Sequence, residues 1–317
     1  MIDRTLSRRT ALAAALALPL AACARGEGAP SKTIRLTHGP ISVPKARGEL
    51  ERTLTAQGYR VEWVGPFPNH APSMQAVTGD SADFSFGGST TPADQAILAG
   101  ADLVYVAWAL TSPRTTAIVA RPGVDRVADL AGRTVAVNKA GLGEFLLVAA
   151  LEKYGVPRDQ VKVVYMNPPE ASAAFGAGKI DAWAIWQGFR EIAEVQHGAR
   201  AIFVESDELD FQVDFTSYLV RRDYAEQNPE AVRAVIRAYQ AEYDWQNRNY
   251  AESLRLGNAV SNYPQPVLDR MAVHNVQTKL SPIDDEGVKQ LQFGADWLVQ
   301  RGILSKPIDI AEHSVRL

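Results

Sequence analysis

Several predicted strands end in polar, glycine-rich turns, and these turns carry the residues that could bind a small ligand. In open α/β sheets, the ligand crevice lies beyond the carboxyl ends of the strands. Some of these turns lead directly into helices, whose first N–H groups and positive dipole end favour an anion. The candidate binding residues at these strand ends are His38, Gly39, Pro40, Gly88, Ser89, Thr90, Asn138, Lys139, Glu170, Trp186 and Phe189.

Most of these candidates also have a purely structural interpretation. Ser89 and Thr90 could donate hydroxyl hydrogen bonds to a ligand or cap the following helix, and the two roles are compatible. Lys139 could supply a positive charge, or it could lie in a solvated turn. Glu170 lies in the first turn of a predicted helix, where an acid is often structural.

Two tryptophans fall on opposite faces of one predicted strand, residues 180–186. Side chains alternate across a strand, so Trp183 and Trp186 point in opposite directions. We expect Trp183 in the core. Trp186, at the exit of the strand, and Phe189 are predicted to form one wall of a ligand cleft.

The motifs of common catalytic and metal sites are missing from the sequence. No pair among the five histidines has a helical metal-binding spacing, and there is neither a nucleophile elbow nor a phosphate-binding loop. Cys23 is the only cysteine, which excludes disulfides and thiolate sites from the rest of the chain. The sequence therefore gives no reason to predict catalytic residues, a metal or a cofactor, and a catalytic triad assembled across the fold stays open.

The N-terminus has the layout of an export signal. Arg8 and Arg9 precede an apolar run over residues 11–20, which is too short to span a bilayer, since a spanning helix needs about 20 residues. We predict a signal peptide over residues 1–22. "SRRTAL" resembles a twin-arginine export signal, and the general secretory route stays open.

The end of this segment, "LAAC", resembles a bacterial lipobox. The resemblance implies lipidation of Cys23, which would become the first residue of the mature protein. Residues 23–32, rich in Gly, Ala, Pro and Ser, would then form a flexible tether. The predicted location is the periplasm or cell envelope, with the membrane contacted only through the lipid.

Composition places the rest of the chain among soluble globular proteins. Of 317 residues, 46% are hydrophobic and 22% charged, and the formal net charge is −3. A nucleic-acid-binding protein would carry a basic cluster, and none is visible beyond pairs such as Arg221 and Arg222. We therefore predict a small-molecule ligand and no nucleic-acid partner.

Short strands alternate with helices along the chain, which indicates βαβ units and mostly parallel sheets. Two lobes of similar plan are expected, one from residues 33–115 plus 222–317 and the other from 116–221. The β-rich segments 115–121 and 217–222 are predicted to cross between them. Among the local predictions are a helix over 46–58 and a strand over 82–88.

The chain resembles the substrate-binding proteins of ABC importers in the nitrate, sulfonate and taurine group, with most similarity to the aliphatic-sulfonate branch. The segments that carry the resemblance are "GDSADFSFGGSTTPADQAILAGADLVYVA", "PPEASAAFGAGKIDAWAIWQGF" and "WLVQRGILSKPIDI". It implies a type II periplasmic-binding-protein fold, with two lobes on a two-strand hinge and the ligand clamped between them.

The resemblance also implies ligand-facing positions at Ser112, Pro113, Asp214 and Thr216. It implies a monomer that delivers its ligand to a membrane permease and performs no catalysis. Alternative ligands are taurine, nitrate, a pyrimidine or an aromatic compound, and an enzyme on the same fold is a further alternative. In the loop after Lys139, Glu144 could itself satisfy N–H groups at the helix start and so compete with an anionic ligand.

Overall fold

The structure, a computed structural model, describes residues 32–317. The predicted signal peptide (1–22), the lipidation site Cys23 and all but the last residue of the predicted tether (23–32) lie outside these residues. Within residues 32–317, no helix has both the length and the apolar character needed to cross a membrane.

The strands, in chain order, are β1 (Lys32–Thr37), β2 (Tyr59–Val64), β3 (Gly88–Ser89), β4 (Leu103–Thr111), β5 (Ala117–Ala120), β6 (Thr134–Val137), β7 (Lys162–Tyr165), β8 (Ala182–Ile185), β9 (Arg200–Val204), β10 (Thr216–Arg221) and β11 (Thr278–Pro282). The helices are α1 (Val43–Arg47), α2 (Glu49–Thr55), α3 (His70–Thr78), α4 (Thr90–Leu98), α5 (Leu142–Lys153), α6 (Pro168–Gly176), α7 (Phe189–His197), α8 (Glu205–Glu208), α9 (Arg222–Gln227), α10 (Pro229–Arg248), α11 (Tyr250–Ser261), α12 (Gln265–His274) and α13 (Asp285–Gln300). Short 3-10 turns occur at Pro113–Thr115, Val127–Leu130 and Arg158–Gln160.

The first sheet consists of a two-stranded part, β1-β2, and a four-stranded part with the order β11-β4-β10-β3. Strand β1 pairs in parallel with β2, and Phe84 bridges Leu36 of β1 to Val220 of β10. Strand β4 pairs antiparallel with both β10 and β11. Taken together, these pairings give β1 to β4 one direction and β10 and β11 the other.

A second sheet has the strand order β7-β6-β8-β5-β9. Strand β6 is parallel to β7 and β8, while β5 is antiparallel to β8 and β9. Four of its strands therefore share a direction, and only β5 runs against them. The second sheet is therefore mostly parallel in strand direction, as the alternation of strands and helices predicts, whereas in the first sheet only the β1-β2 pair is parallel and the pairs β3-β10, β4-β10 and β4-β11 are antiparallel.

The chain passes between the sheets twice, once from β4 to β5 and once from β9 to β10. Because β4 pairs with β10 and β5 pairs with β9, the two crossings run side by side in opposite directions. Strand β10 thus belongs to the first sheet, whereas the expected boundary placed all of residues 116–221 in the second lobe. The other lobe boundaries stay a prediction.

Two local predictions differ from the structure. The helix expected over 46–58 is divided by Gly48, whose φ of +69° is left-handed and ends α1 before α2 begins. The strand expected over 82–88 is reduced to the bridge at Phe84 and the short β3. Near β3 the backbone passes so close to the His70 ring that a Cβ atom on Gly88 would lie 2.5 Å from it.

Candidate functional site

A cavity of about 640 Å³ lies between the two sheets. The parallel strands of both sheets direct their carboxyl ends toward it, so the turns after β1, β4, β6, β7 and β8 meet there. The two crossings border the same space through Thr116, just before β5, and Thr216, at the start of β10. Residues from distant parts of the chain are therefore assembled around one cleft.

Most of the predicted site residues line this cavity. They are Gly39, Pro40, Gly88, Ser89, Ser112, Pro113, Asn138, Lys139, Glu170, Trp186, Phe189, Asp214 and Thr216. That they contact a ligand stays a prediction.

Two predicted residues do not line the cavity, and their assignment is corrected. His38 is buried, with Nδ1 2.9 Å from the Gly39 carbonyl oxygen and Nε2 3.0 Å from the Lys45 ammonium. Thr90 is also buried, because its hydroxyl donates to Asp214 at 3.1 Å and accepts from the N–H of Phe215 at 3.2 Å. Both side chains serve the packing beneath the cleft.

The start of α4 already holds an anion that belongs to the protein. The Oδ1 atom of buried Asp214 accepts hydrogen bonds from the hydroxyls of Ser89 (2.6 Å), Thr90 (3.1 Å) and Thr91 (3.0 Å) and from the Thr91 N–H (3.1 Å). Burial raises the pKa of Asp214, while these donors act in the opposite direction. A ligand anion at this helix start would have to compete with this carboxylate.

The start of α5 is satisfied in a similar way. Asn138 accepts through Oδ1 from the N–H of Gly143 at 2.9 Å, and Glu144 accepts through Oε2 from the N–H of Ala140 at 2.7 Å. The other oxygen of Glu144 accepts from Arg158 at 2.6 Å and from the Tyr165 hydroxyl at 2.9 Å. The expected competition by Glu144 for these N–H groups is therefore present.

The third helix start, at α6, offers few donors. Pro168 and Pro169 have no N–H group, and Glu170 accepts from the N–H of Asn167 at 3.2 Å. The idea that bare helix N-termini hold the ligand anion is thus weakened at all three starts. Lys139 is the only Lys or Arg among the described residues that line the cavity.

The aromatic residues separate as the alternation of strand β8 predicts. Trp183 is 1% exposed and packs in the core of the second sheet's layer, with its ring centroid 5.7 Å from that of Phe189. Trp186 and Phe189 line the cavity. The prediction of a core Trp183 is confirmed, and the other two form an aromatic wall.

The two sides of the cleft touch through polar contacts. Asn69, at the start of α3, donates through Nδ2 to Oδ1 of Asn167, at the start of α6, at 3.2 Å. On another side of the cleft, the Gln187 amide donates to the Tyr250 hydroxyl of α11. Through these two hydrogen bonds, the two sides of the cleft are in contact at the border of the cavity.

Two buried titratable residues that line the cavity, His70 and Glu205, are not among the residues predicted from the sequence. Burial lowers the pKa of His70 to about 4, so the ring is neutral, and its Nδ1–H donates to the Ser89 carbonyl at 2.8 Å. Burial, followed by the nearby Asp214, raises the pKa of Glu205 to about 8. Glu205 directly follows β9, so recognition of residues 200–204 as a strand would have identified it by the strand-end rule.

Among residues 32–317, no group of three or more His, Cys, Asp or Glu is arranged to hold a metal ion. The lining side chains described above offer hydrogen bonds, one ammonium group and aromatic contact.

The chain is similar to known proteins in both sequence and structure. A family model described as "NMT1/THI5 like" matches residues 54–251. An aliphatic sulfonates-binding protein of Escherichia coli (strain K12) is 31% identical over 257 residues, which cover 80% of this chain and 79% of that protein.

Two solved structures superpose over most of the chain. The alkanesulfonate-binding protein SsuA from Xanthomonas axonopodis pv. citri, bound to MOPS, has a TM-score of 0.81 at 27% identity. The superposition covers 92% of this chain and 100% of the SsuA chain. The periplasmic aliphatic sulphonate binding protein SsuA from Escherichia coli has a TM-score of 0.77 at 27% identity. The superposition covers 89% of this chain and 97% of the SsuA chain. These superpositions confirm the predicted two-lobed periplasmic-binding-protein fold.

Proposed function

Because the chain belongs to the NMT1/THI5-like family, we propose that it is the extracytoplasmic substrate-binding protein of an ABC importer and that it captures an organic sulfonate. The observation that carries the proposal is the cavity between the two sheets, which combines one ammonium group, Lys139, with the aromatic wall of Trp186 and Phe189. A sulfonate has a compact anionic end and an apolar remainder, and these two features match the two kinds of surface.

The size of the cavity favours an organic ligand over a small inorganic anion. Its volume of about 640 Å³ lies within the range of about 300–1,000 Å³ that holds drug-sized ligands. Nitrate would occupy a small part of this space and would leave the aromatic wall unused. An alkyl chain or ring would bury apolar surface against Trp186 and Phe189, which contributes roughly 25 cal/mol per Å².

The connectivity supports a receptor that closes on its ligand. The two antiparallel crossings form a hinge, and a ligand that contacts both walls favours the closed arrangement through its differential affinity. The hydrogen bond from Asn69 to Asn167 is a contact that this closed arrangement would retain. The closed form would then dock on a membrane permease.

The remaining parts of the proposal concern the state of the protein in the cell. We propose that it acts as a monomer and is held at the membrane through lipidation of Cys23, at the end of the signal peptide over residues 1–22. Labelled palmitate incorporation in the native protein, compared with Cys23→Ser, tests the anchor. Incorporation that is equal in the two proteins would contradict it.

Thermal unfolding with a ligand panel tests the ligand class. The purified protein should show a higher Tm with butanesulfonate or MOPS than with butanol, nitrate, taurine or uracil, since a ligand at 100 times its Kd stabilises the native state by about 2.7 kcal/mol. The recovered ligand should be chemically unchanged by mass spectrometry. A shift with uracil or nitrate alone would reject a sulfonate ligand, and an altered ligand would indicate an enzyme.

Substitution of the aromatic wall localises the binding. Trp186→Ala should weaken butanesulfonate affinity by about tenfold or more, because buried aromatic anchors contribute strongly to binding. Trp245→Ala is the matched control, since Trp245 stacks under Arg47, 4.2 Å from its guanidinium carbon, and does not line the cavity. Equal affinities for the two variants would place the ligand elsewhere.

A further inference from the structure

The two sides of the cleft meet at two faces of different chemistry, and the first of them is apolar. This apolar face lies between α5, in the second sheet's wall, and α13, in the first sheet's wall. Phe145 of α5 is fully buried, and its ring centroid lies 5.2 Å from that of Trp297 of α13. Val213, in the second crossing just before β10, belongs to the same buried cluster. Separation of this face would expose apolar surface at a cost of roughly 25 cal/mol per Å².

The second face, here called the latch face, lies between α7 of the second wall and α12, which is joined through α11 to α1 and α10 of the first wall. Glu194 of α7 accepts through Oε1 from Nε of Arg190 on its own helix at 2.9 Å, and through Oε2 from Nε of Arg270 on α12 at 2.7 Å. Burial acts to raise the pKa of Glu194, but these two hydrogen bonds outweigh it and the pKa is lowered. The carboxylate therefore has one partner in its own wall and one across the cleft.

Glu191, about one helical turn earlier, divides its two oxygens in the same way. Its side chain is fully buried, and Oε2 accepts from the N–H of Gly188, in its own wall, at 2.6 Å. Oε1 lies 3.0 Å from Nε2 of His274 on α12, and neither atom has another partner within residues 32–317. If α7 and α12 separate, Glu191 and Glu194 each keep one donor. Opening therefore avoids the large cost of a buried charge left without a partner.

The rest of the latch face is also mostly polar. The Gln187 amide donates to the Tyr250 hydroxyl of α11. Of the α7 side chains, only Ile192 packs in the apolar cluster that the described residues of α11 and α12 form. Because water can replace protein hydrogen bonds at a small net cost, the latch face separates more easily than the apolar face.

The cavity lies between these two faces. Leu142 and Phe215, which belong to or pack against the cluster of the apolar face, line it from one side. Gln187 and Tyr263 line it from the side of the latch face. A rotation that separates the latch face would therefore give a ligand access to the cavity.

We propose that the cleft opens at the latch face while the apolar face stays together, and that Glu191 and Glu194, with His274 and Arg270, form a latch that slows release of the ligand. None of these four residues lines the cavity, so they act through closure and not through contact with the ligand. The latch follows from the contacts between the walls and goes beyond the proposed function, which supplies only the ligand for the second experiment.

The first experiment needs no ligand. Carboxyl groups of the whole chain are labelled with a carbodiimide and an amine, and each site is followed by mass spectrometry. Glu191 and Glu194 should react at least about fivefold faster than Glu242, since local opening exposes them to the reagent. Glu242 is the matched control, because it is equally buried and pairs with Arg47 at 3.0 Å inside the first wall. Labelling of Glu191 and Glu194 as slow as that of Glu242 would reject the latch.

The second experiment measures butanesulfonate dissociation by stopped flow. Arg270→Gln should raise the dissociation rate constant about two- to fivefold, a modest factor because the Arg270 side chain is 45% exposed, and should leave association nearly unchanged. Arg301→Gln is the matched control, since Arg301 pairs at 2.8 Å with Glu152 of α5 across the apolar face. It should change dissociation by less than about 1.5-fold, because that face does not open. Equal rate constants for the two variants would contradict a latch on α12.

The two experiments separate the latch from the proposed function. If butanesulfonate binds but Glu191 and Glu194 react as slowly as Glu242, the receptor stands and the latch is rejected. If no sulfonate binds, the proposed function fails, and the labelling of the ligand-free protein still decides whether the latch face opens.

Discussion

The helix starts on the two walls of the cleft are both occupied by the protein's own carboxylates, but in different ways. At α4, in the first sheet's wall, Asp214 accepts from three hydroxyls and one N–H, none of them charged. At α5, in the second sheet's wall, Glu144 accepts from Arg158 at 2.6 Å as well as from neutral donors. One carboxylate is held by dipoles alone, and the other is neutralised by a cation.

This difference indicates which wall of the cleft can bind an anionic group of a ligand. Asp214 has only neutral donors, and after burial it is the next cause of the raised pKa of the neighbouring Glu205. Glu144 is paired with Arg158, and the Lys139 ammonium lies 5.8 Å from the Tyr165 ring centre. Anion recognition is therefore expected on the second wall and not at the start of α4.

Removal of Asp214 should have the largest effect on stability. Asp214→Ala leaves several buried donors without an acceptor, and we expect a loss of about 3 kcal/mol or more in the free energy of unfolding, measured by urea denaturation. Ser89→Ala removes a single donor and should cost about 1 kcal/mol. A loss under about 1 kcal/mol for Asp214→Ala would show that this cluster does not hold the first wall together.

A smaller effect is expected from Glu205, and it depends on pH. Its pKa of about 8 in the native state exceeds the value of about 4.3 for an unfolded chain, so the native state binds more protons between these values. The free energy of unfolding should therefore fall as pH rises from about 5 to 8, and Glu205→Gln should recover about 1–3 kcal/mol at pH 8 relative to pH 5.

Urea denaturation of both proteins at the two pH values measures this difference. Part of the slope should remain in the variant, because burial also raises the pKa of Asp94 to about 8. If the free energy of unfolding changed with pH equally in the native protein and the variant, the raised pKa of Glu205 would be contradicted.

The smallest effect on stability is expected at the positive end of the cleft. Lys139 is exposed, so Lys139→Ala should change the free energy of unfolding by less than about 0.5 kcal/mol. It should nevertheless weaken butanesulfonate affinity about tenfold, measured by calorimetry, because it removes the cavity's ammonium group. Lys162→Ala, which changes an exposed lysine of β7 outside the cavity, is the control. Equal affinities for the two variants would show that Lys139 does not bind the ligand anion.

Features that depend on local spacing could be predicted from the sequence. The alternation of strands and helices gave the α/β class, and the period of two along β8 separated core Trp183 from Trp186 at the cleft. Most of the residues that the strand-end rule proposed do line the cavity, including Ser89, Lys139 and Phe189. It failed at Glu205 because β9 was not recognised as a strand.

The amino-acid sequence by itself determined the alternation of strands and helices and many of the residues at their ends, because helical and strand periodicity are set by neighbouring residues. Only the tertiary structure decided that Asp214 fills the start of α4, since the partners Thr91 and Asp214 are separated by 123 positions. The same holds for Thr90, which local spacing places at the cleft and which is buried through its hydrogen bond to Asp214, 124 positions away. Buried polar groups are almost always hydrogen-bonded, and which residues lie close enough to be their partners depends on how the two crossings align the sheets.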